Sequence, residues 1–592
     1  MRPFWRSFWA SLLAYFVLAI FSIIILNILI FTVSNVFNEK NNLTVKGNTI
    51  LEVSLDFEIN ERSGIKSTNN IANPVKKTYG LHQVKKAILE AKNDDDIKGI
   101  LLNVSEVNMG LSSLDDLRSS FVQFKETGKF IIAYSENYSM GGFYLCSAAD
   151  EIYLYPQGMV DFRGLGSELM FFKNALERFE VDVQVIKGNG NIYKGAVEPF
   201  TREAMSTENR TQIKKLLLDI WKNMTHNIKD SRNISLEKLN EIADSLYSYN
   251  SKGCLSNELI DGVIYEDQID SVIKKKMNIS NDKKLNYLKF KNYLNSKTTT
   301  KNSNGNIAII YATGDIISGE STENSMGSKT IVEAINKSKD DSSIKGIVIR
   351  VNSPGGSALA SDVIWRSIEL AKKSKPVVVS MGDVAASGGY YISCGADRIF
   401  AEENTVTGSI GVFGIIPNIG RMLKSKVGIT TDRVETNQHS ALTMFNSLDK
   451  KELSVFQKGV NEIYDNFISK VAHGRDGLKK SDVHEIAKGR IWSGKEAMDL
   501  ELVDEIGNLN SAIEYVANKI NIKKNEIKLI ELPKKENDKL LELLSEIEFS
   551  SSSKNDINEY FKQIRLNLKS NWINNDKIDN FQMFMPFDFK IQ

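Results

Sequence analysis

The 592-residue chain is 42% hydrophobic and 25% charged, enough apolar material for two or more full cores and unlike a disordered or collagen-like chain. Its 75 basic and 74 acidic residues leave a net charge of +1, so no global field recruits nucleic acid or an acidic substrate. The five histidines (His82, His226, His439, His473, His484) form no HExxH and have no ligand partners at metal spacing, while Cys146, Cys254 and Cys394 are odd in number and far apart, so neither a metal, a cofactor nor a disulfide framework is expected.

In chain order, residues 9–33 come first, an uncharged apolar run of about 25 residues, or roughly 37 Å of helix, which spans a bilayer. No small-x-small cleavage site follows it, which argues against a removed signal peptide. Arg2 and Arg6 precede the run, whereas the first charges after it are Glu39 and Lys40. The positive-inside bias then puts the N-terminus in the cytoplasm and the body outside, with residues 1–47 as cytoplasmic N-terminus and transmembrane anchor.

The body is duplicated. Ile97-Lys98-Gly99-Ile100 matches Ile344-Lys345-Gly346-Ile347 at an offset of 344 − 97 = 247. The same offset aligns Gly141-Gly142-Phe143-Tyr144 with Gly388-Gly389-Tyr390-Tyr391, and Ala149-Asp150-Glu151-Ile152 with Ala396-Asp397-Arg398-Ile399. The copies are expected over 48–295 and 306–532, joined by a polar linker over 296–305 and followed by an extension, 533–592, of unknown role. In the second copy, apolar β-branched runs at 307–310, 347–351, 376–380 and 398–401 read as strands, and 359–374 and 388–396 as helices. This alternation predicts an α/β fold: two tandem repeats with buried parallel sheets and functional groups on the loops at strand ends.

Positions where only one copy carries a useful group point to chemistry. The second copy has Asn352-Ser353-Pro354-Gly355-Gly356-Ser357 after a strand, where paired glycines let a backbone approach a ligand closely. The first has Glu106-Val107-Asn108-Met109 opposite Ser353 to Gly356. The second also has Thr407-Gly408-Ser409-Ile410-Gly411, a serine exposed between glycines, opposite Val160-Asp161-Phe162-Arg163-Gly164. The first alone has Lys194, isolated among apolar residues in Tyr193-Lys194-Gly195-Ala196-Val197, against Ser440-Ala441-Leu442. Taken singly, each of these has an ordinary structural explanation: a Pro-Gly turn, a Gly-Ser turn, a surface lysine.

At these residues the chain resembles the long form of the signal peptide peptidase A family, within the ClpP/crotonase-like superfamily. The matching elements are YKGAVEPF around Lys194, NSPGGS, DVAASGGYY (383–391), VTGSIGVFG (406–414) and GRIWSGKEAMDLELVDEIG (489–507), together with the anchor. The resemblance implies a serine endopeptidase with Ser409 as nucleophile, Lys194 as general base, and Gly355 and Gly356 lining the oxyanion region and substrate strand. It also implies a homotetramer on the outer face of the cytoplasmic membrane that degrades cleaved signal peptides and similar peptides. A lysine base must be neutral, so burial is expected to lower its pKa.

Ser387, in Ala385-Ala386-Ser387-Gly388-Gly389, resembles the nucleophile segment of ClpP peptidases, which use a Ser-His-Asp triad. No histidine lies between Ser387 and His439, so Ser409 is preferred on sequence. No third residue orienting Lys194 can be chosen, and whether the lysine reaches the serine within one chain or between chains stays open. The competing readings are a noncatalytic membrane scaffold and a crotonase-type acyl-CoA lyase.

Overall fold

In a computed structural model, residues 45, 47–67, 75–297, 306–534 and 582–584 are described. The span expected over 9–33 lies outside them; among the described residues no helix is long and apolar enough to cross a membrane.

Each repeat builds its own parallel sheet. The first runs in the order Asn286–Lys289, Thr49–Val53, Ile97–Leu102, Phe130–Ser135, Glu151–Leu154, Gly262–Val263, all neighbours parallel. The second runs Ile491–Ser493, Val406–Gly408, Val377–Ala386, Gly346–Ser353, Ile307–Thr313, Leu529–Leu532, with only the Val406–Gly408 and Ile491–Ser493 pair antiparallel. Central strands buried on both faces need continuous apolar runs, and Ile307, Ile309, Ile310, Val348, Ile349 and Val378 are all fully buried. The expected helices appear as Ala358–Lys372 and Gly388–Ser393. Helix Phe290–Lys297 runs two residues into the expected linker, whose remainder, 298–305, lies outside the described residues.

One strand departs usefully from its sequence pattern. The apolar run ends at Ser380, but the strand continues to Ala386. A register irregularity between Val351 and Ser353 of the neighbouring strand divides it. Its first half pairs with Arg398–Ala401 and its second, Val384 to Ala386, with Val406–Gly408. Such a bulge re-aims a strand end. Here it brings Ser387 alongside Gly408 and Ser409.

A third, mixed sheet joins the copies. Phe413–Asn418 of the second repeat pairs antiparallel with Asp182–Lys187 of the first over six residues, from Phe413↔Lys187 to Asn418↔Asp182. On the sheet's other side, Ser325–Gly327 and Asp315–Ile317 lead to Gly355–Ser357. Between the two sides sits a strand from the C-terminal extension, Gln582–Phe584. The repeats are also tied through helix Leu111–Lys125. Ser113 donates to Asp383 through its amide (2.8 Å) and hydroxyl (2.7 Å), and Asn508 donates to Asp116 (2.7 Å). Arg350, buried in the second sheet, pairs with Glu61 at 2.8 Å.

Candidate active site

Lys194 follows Lys187 by a short turn, so the pairing of Asp182–Lys187 with Phe413–Asn418 delivers it into the second repeat. Its turn is pinned there by the Tyr193 amide, which donates to the Lys488 carbonyl at 3.0 Å. Gly489, at φ +77°, lets the opposing backbone close over it; a Cβ at that position would stand 2.7 Å from the lysine Cβ.

The Lys194 ammonium position is completely buried. Its Nζ contacts Ser387 Oγ at 2.8 Å, the Ser409 carbonyl oxygen at 2.8 Å and Ser409 Oγ at 2.9 Å. Among the described residues no carboxylate pairs with it. The nearby Glu198 is instead held by the Ser206 amide (3.1 Å) and the Asn209 side chain (3.0 Å). Burial without a counter-charge pushes the lysine pKa well below its ordinary value of 10.5. A neutral amine has two N–H donors and one lone pair. The three oxygen contacts match that complement.

The structure thus brings Lys194 and Ser409 together within one chain, and adds Ser387 at equal range. The two serines are held differently. Ser409, at φ +50°, follows Val406–Gly408; its amide donates to the Arg490 carbonyl at 2.6 Å, and it offers Lys194 both a main-chain and a side-chain oxygen. Ser387 stands at a sharp strand-to-helix turn with φ +56° and ψ −114°, a region that non-glycine residues rarely occupy. Its amide donates to the Gly408 carbonyl at 2.8 Å, and its hydroxyl does not cap the helix it precedes.

Gly355 (φ +111°) and Gly356 (φ +152°) form a short strand beside this turn. A Cβ on Gly356 would meet the Ile316 carbonyl oxygen at 2.2 Å, so the close pairing with Ile316 requires glycine. A Cβ on Gly388 would lie 3.2 Å from Gly355 Cα, which places the glycine strand against the Ser387 turn. The Gly355 amide donates to Ser353 Oγ at 3.2 Å. The Gly388 N–H, first in its helix, has no intrahelical partner. Sequence reasoning missed it. Its signal was its place, directly after a serine on a strand-to-helix turn.

Residues 123–280 and 369–523 match peptidase family S49, and residues 300–406 match the Clp protease family. The chain belongs to peptidase family S49. Its two repeats share the ClpP-like α/β fold, and it is a serine peptidase. It is 37% identical to Protease 4 of Haemophilus influenzae over 448 residues, covering 74% of this chain and 72% of that protein. It is also 30% identical to the chloroplastic serine protease SPPA of Arabidopsis thaliana over 499 residues, covering 82% and 72%. A putative signal peptide peptidase SppA of Enterococcus faecium is 37% identical over 182 residues, 30% of this chain and 52% of that one. Membership of a peptidase family sets aside the acyl-CoA lyase reading.

Proposed function

We propose that this S49 peptidase is a membrane-anchored endopeptidase in which Ser387 is the nucleophile, Lys194 the general base, and Ser409 the residue that orients the lysine. This moves the nucleophile's role from Ser409, where sequence placed it, to Ser387, and gives Ser409 the orienting role that sequence left unassigned. The observation that carries it is the unequal hold on Lys194. A backbone carbonyl can only accept, so the Ser409 oxygen at 2.8 Å fixes one amine N–H. With a second N–H on Ser409 Oγ at 2.9 Å, the lone pair is left for the Ser387 hydroxyl at 2.8 Å. Ser387 is also the serine on the strained turn abutting the glycine strand, whose side away from Ile316 pairs with an extended segment of the chain itself.

In this reading neutral Lys194 takes the Ser387 proton as Oγ attacks the peptide carbonyl. The developing oxyanion is met by the Gly388 N–H, with Gly355 and Gly356 aligning the substrate backbone. The lysine ammonium then protonates the departing amine, and water, activated by the same lysine, releases the acyl group.

The uncharged run over 9–33 and the flanking arginines support a body held on the outer face of the cytoplasmic membrane, where released signal peptides and similar apolar peptides are the substrate class. A homotetramer belongs to the same proposal; its mass in detergent by light scattering tests it. The catalytic assignment is tested by peptide hydrolysis. Ser387→Ala is expected to abolish turnover, and Ser409→Ala to retain a measurable fraction of it. The reverse pattern returns Ser409 to the nucleophile's place. A folded wild-type protein that cleaves no peptide supports the scaffold reading.

A further inference from the structure

The mixed sheet has a feature that neither repeat accounts for. Gly355–Ser357 is paired on one side with Asp315–Ile317, at Ile316↔Gly356. Its other side is covered by Gln582–Phe584, antiparallel, with Gly355↔Phe584, Gly356↔Met583 and Ser357↔Gln582. The same segment pairs antiparallel with Phe413 through Gln582. The strand order is therefore Ser325–Gly327, Asp315–Ile317, Gly355–Ser357, Gln582–Phe584, Phe413–Asn418, Asp182–Lys187. Apart from the tail strand, every member belongs to the two repeats. The tail fills a slot one strand wide between them.

That slot lies along the reaction centre. Its glycine wall abuts the Ser387 turn, and its opposite wall begins at Phe413, four residues after Ser409. A strand inserted there satisfies backbone groups on both walls, as β-strand addition does for a bound peptide. The inserted sequence is also of the right kind. From Asn580 to Phe587 it reads NFQMFMPF, eight residues without a charge, bounded by Asp579 and Asp588. Pro586, two residues further on in sequence, has no N–H to offer a ladder.

We infer that the C-terminal segment around Gln582–Phe584 occupies the substrate-strand slot in cis, so that the enzyme carries its own competitor and its ligand class is an extended, uncharged, apolar peptide antiparallel to Gly355–Ser357. The inference rests on the proposed peptidase reading for what the slot serves. Tethering gives the tail a high effective concentration, and a substrate has to displace it.

The test uses full-length protein in detergent. Met583→Pro removes one N–H from the middle of the tail strand, and Phe584→Pro does so one residue on. For both variants the KM for an uncharged fluorogenic peptide is expected to fall by about threefold or more with kcat unchanged, as for a removed intramolecular competitor. A fluorescein-labelled synthetic peptide of residues 578–592 is expected to bind both variants, read by anisotropy, more tightly than it binds wild type. Unchanged KM in both variants, or equal binding of that peptide to wild type and variants, overturns the inference. The anisotropy arm reads slot occupancy without turnover. A protein that cleaves nothing yet shows the binding difference therefore refutes the peptidase reading and leaves the tail's place in the slot standing.

Discussion

The two repeats put the same turn to different uses. In the first, Ser139 has ordinary extended geometry (φ −66°, ψ 167°), caps helix Met140–Cys146 by accepting from the Gly142 amide, and is followed by a buried methionine. In the second, the residue aligned with Met140 at 387 − 140 = 247 is Ser387, left-handed and with its hydroxyl withdrawn from capping. Opposite Ser409 the first repeat has Phe162, whose ring packs 5.7 Å from Phe143 and 5.1 Å from Trp221. The first repeat keeps a cleft of about 440 Å³ at its strand ends, but Glu106, Glu136 and Glu266 line it and no lysine does. Where one copy is filled with hydrocarbon, the other stores strain and polar groups. The fold alone does not make the site. The first repeat contributes one residue, Lys194, to the buried cluster it forms with Ser387 and Ser409 of the second.

The largest expected effect breaks the division of labour outright. Ser387→Ala and Lys194→Ala should each lower kcat/KM by about a thousandfold or more, measured on a peptide substrate, with secondary structure by circular dichroism unchanged. Second in size is the seam between the repeats. Glu61→Ala leaves the buried Arg350 guanidinium without its partner and should destabilise by about 3–5 kcal/mol in a denaturant titration. Third, Ser409→Ala should lower kcat about 10- to 100-fold, because the lysine loses one of its two Ser409 oxygens and keeps the carbonyl.

The pH dependence sharpens the same contrast. A lysine base works only when neutral, so activity should fall as pH drops through its lowered pKa, far below the ordinary 10.5. The unfolded chain binds this proton at the ordinary value and the folded chain refuses it, so stability also declines as pH falls from 10.5 toward the lowered value. Lys194→Met should remove that decline and raise the melting temperature at neutral pH while abolishing turnover. The smallest effect is expected in the other copy. Met140→Ser supplies a hydroxyl where no lysine waits, and kcat/KM should not change.

Much of this was legible in sequence for a physical reason: a gene duplication holds register, so the offset of 247 exposed both the α/β repeats and the asymmetry of Lys194, Ser409 and the Gly355-Gly356 strand. On the proposed reading, Ser387 was passed over because its partner was sought nearby. The group that meets it is a lysine 193 residues upstream, delivered by strand pairing between repeats. The Ser409 oxygens that contact Lys194 could not be read either, since one of them is a main-chain oxygen, which every residue possesses. The long strand to Ala386 was cut short at Ser380 because Gly382 and Asp383 interrupt the apolar run; Asp383 is accommodated by Ser113 of the other copy. The tail strand is placed by backbone pairing, which leaves no periodic signature in so short a segment.

Mass-spectrometric mapping of a fluorophosphonate adduct, on the wild-type protein and on Lys194→Ala across a pH series, tests the composite site most directly. The account predicts an adduct on Ser387, formed faster as pH rises through the lowered lysine pKa, and lost in Lys194→Ala. An adduct on Ser409, or one on Ser387 that forms at the wild-type rate without Lys194, would contradict it.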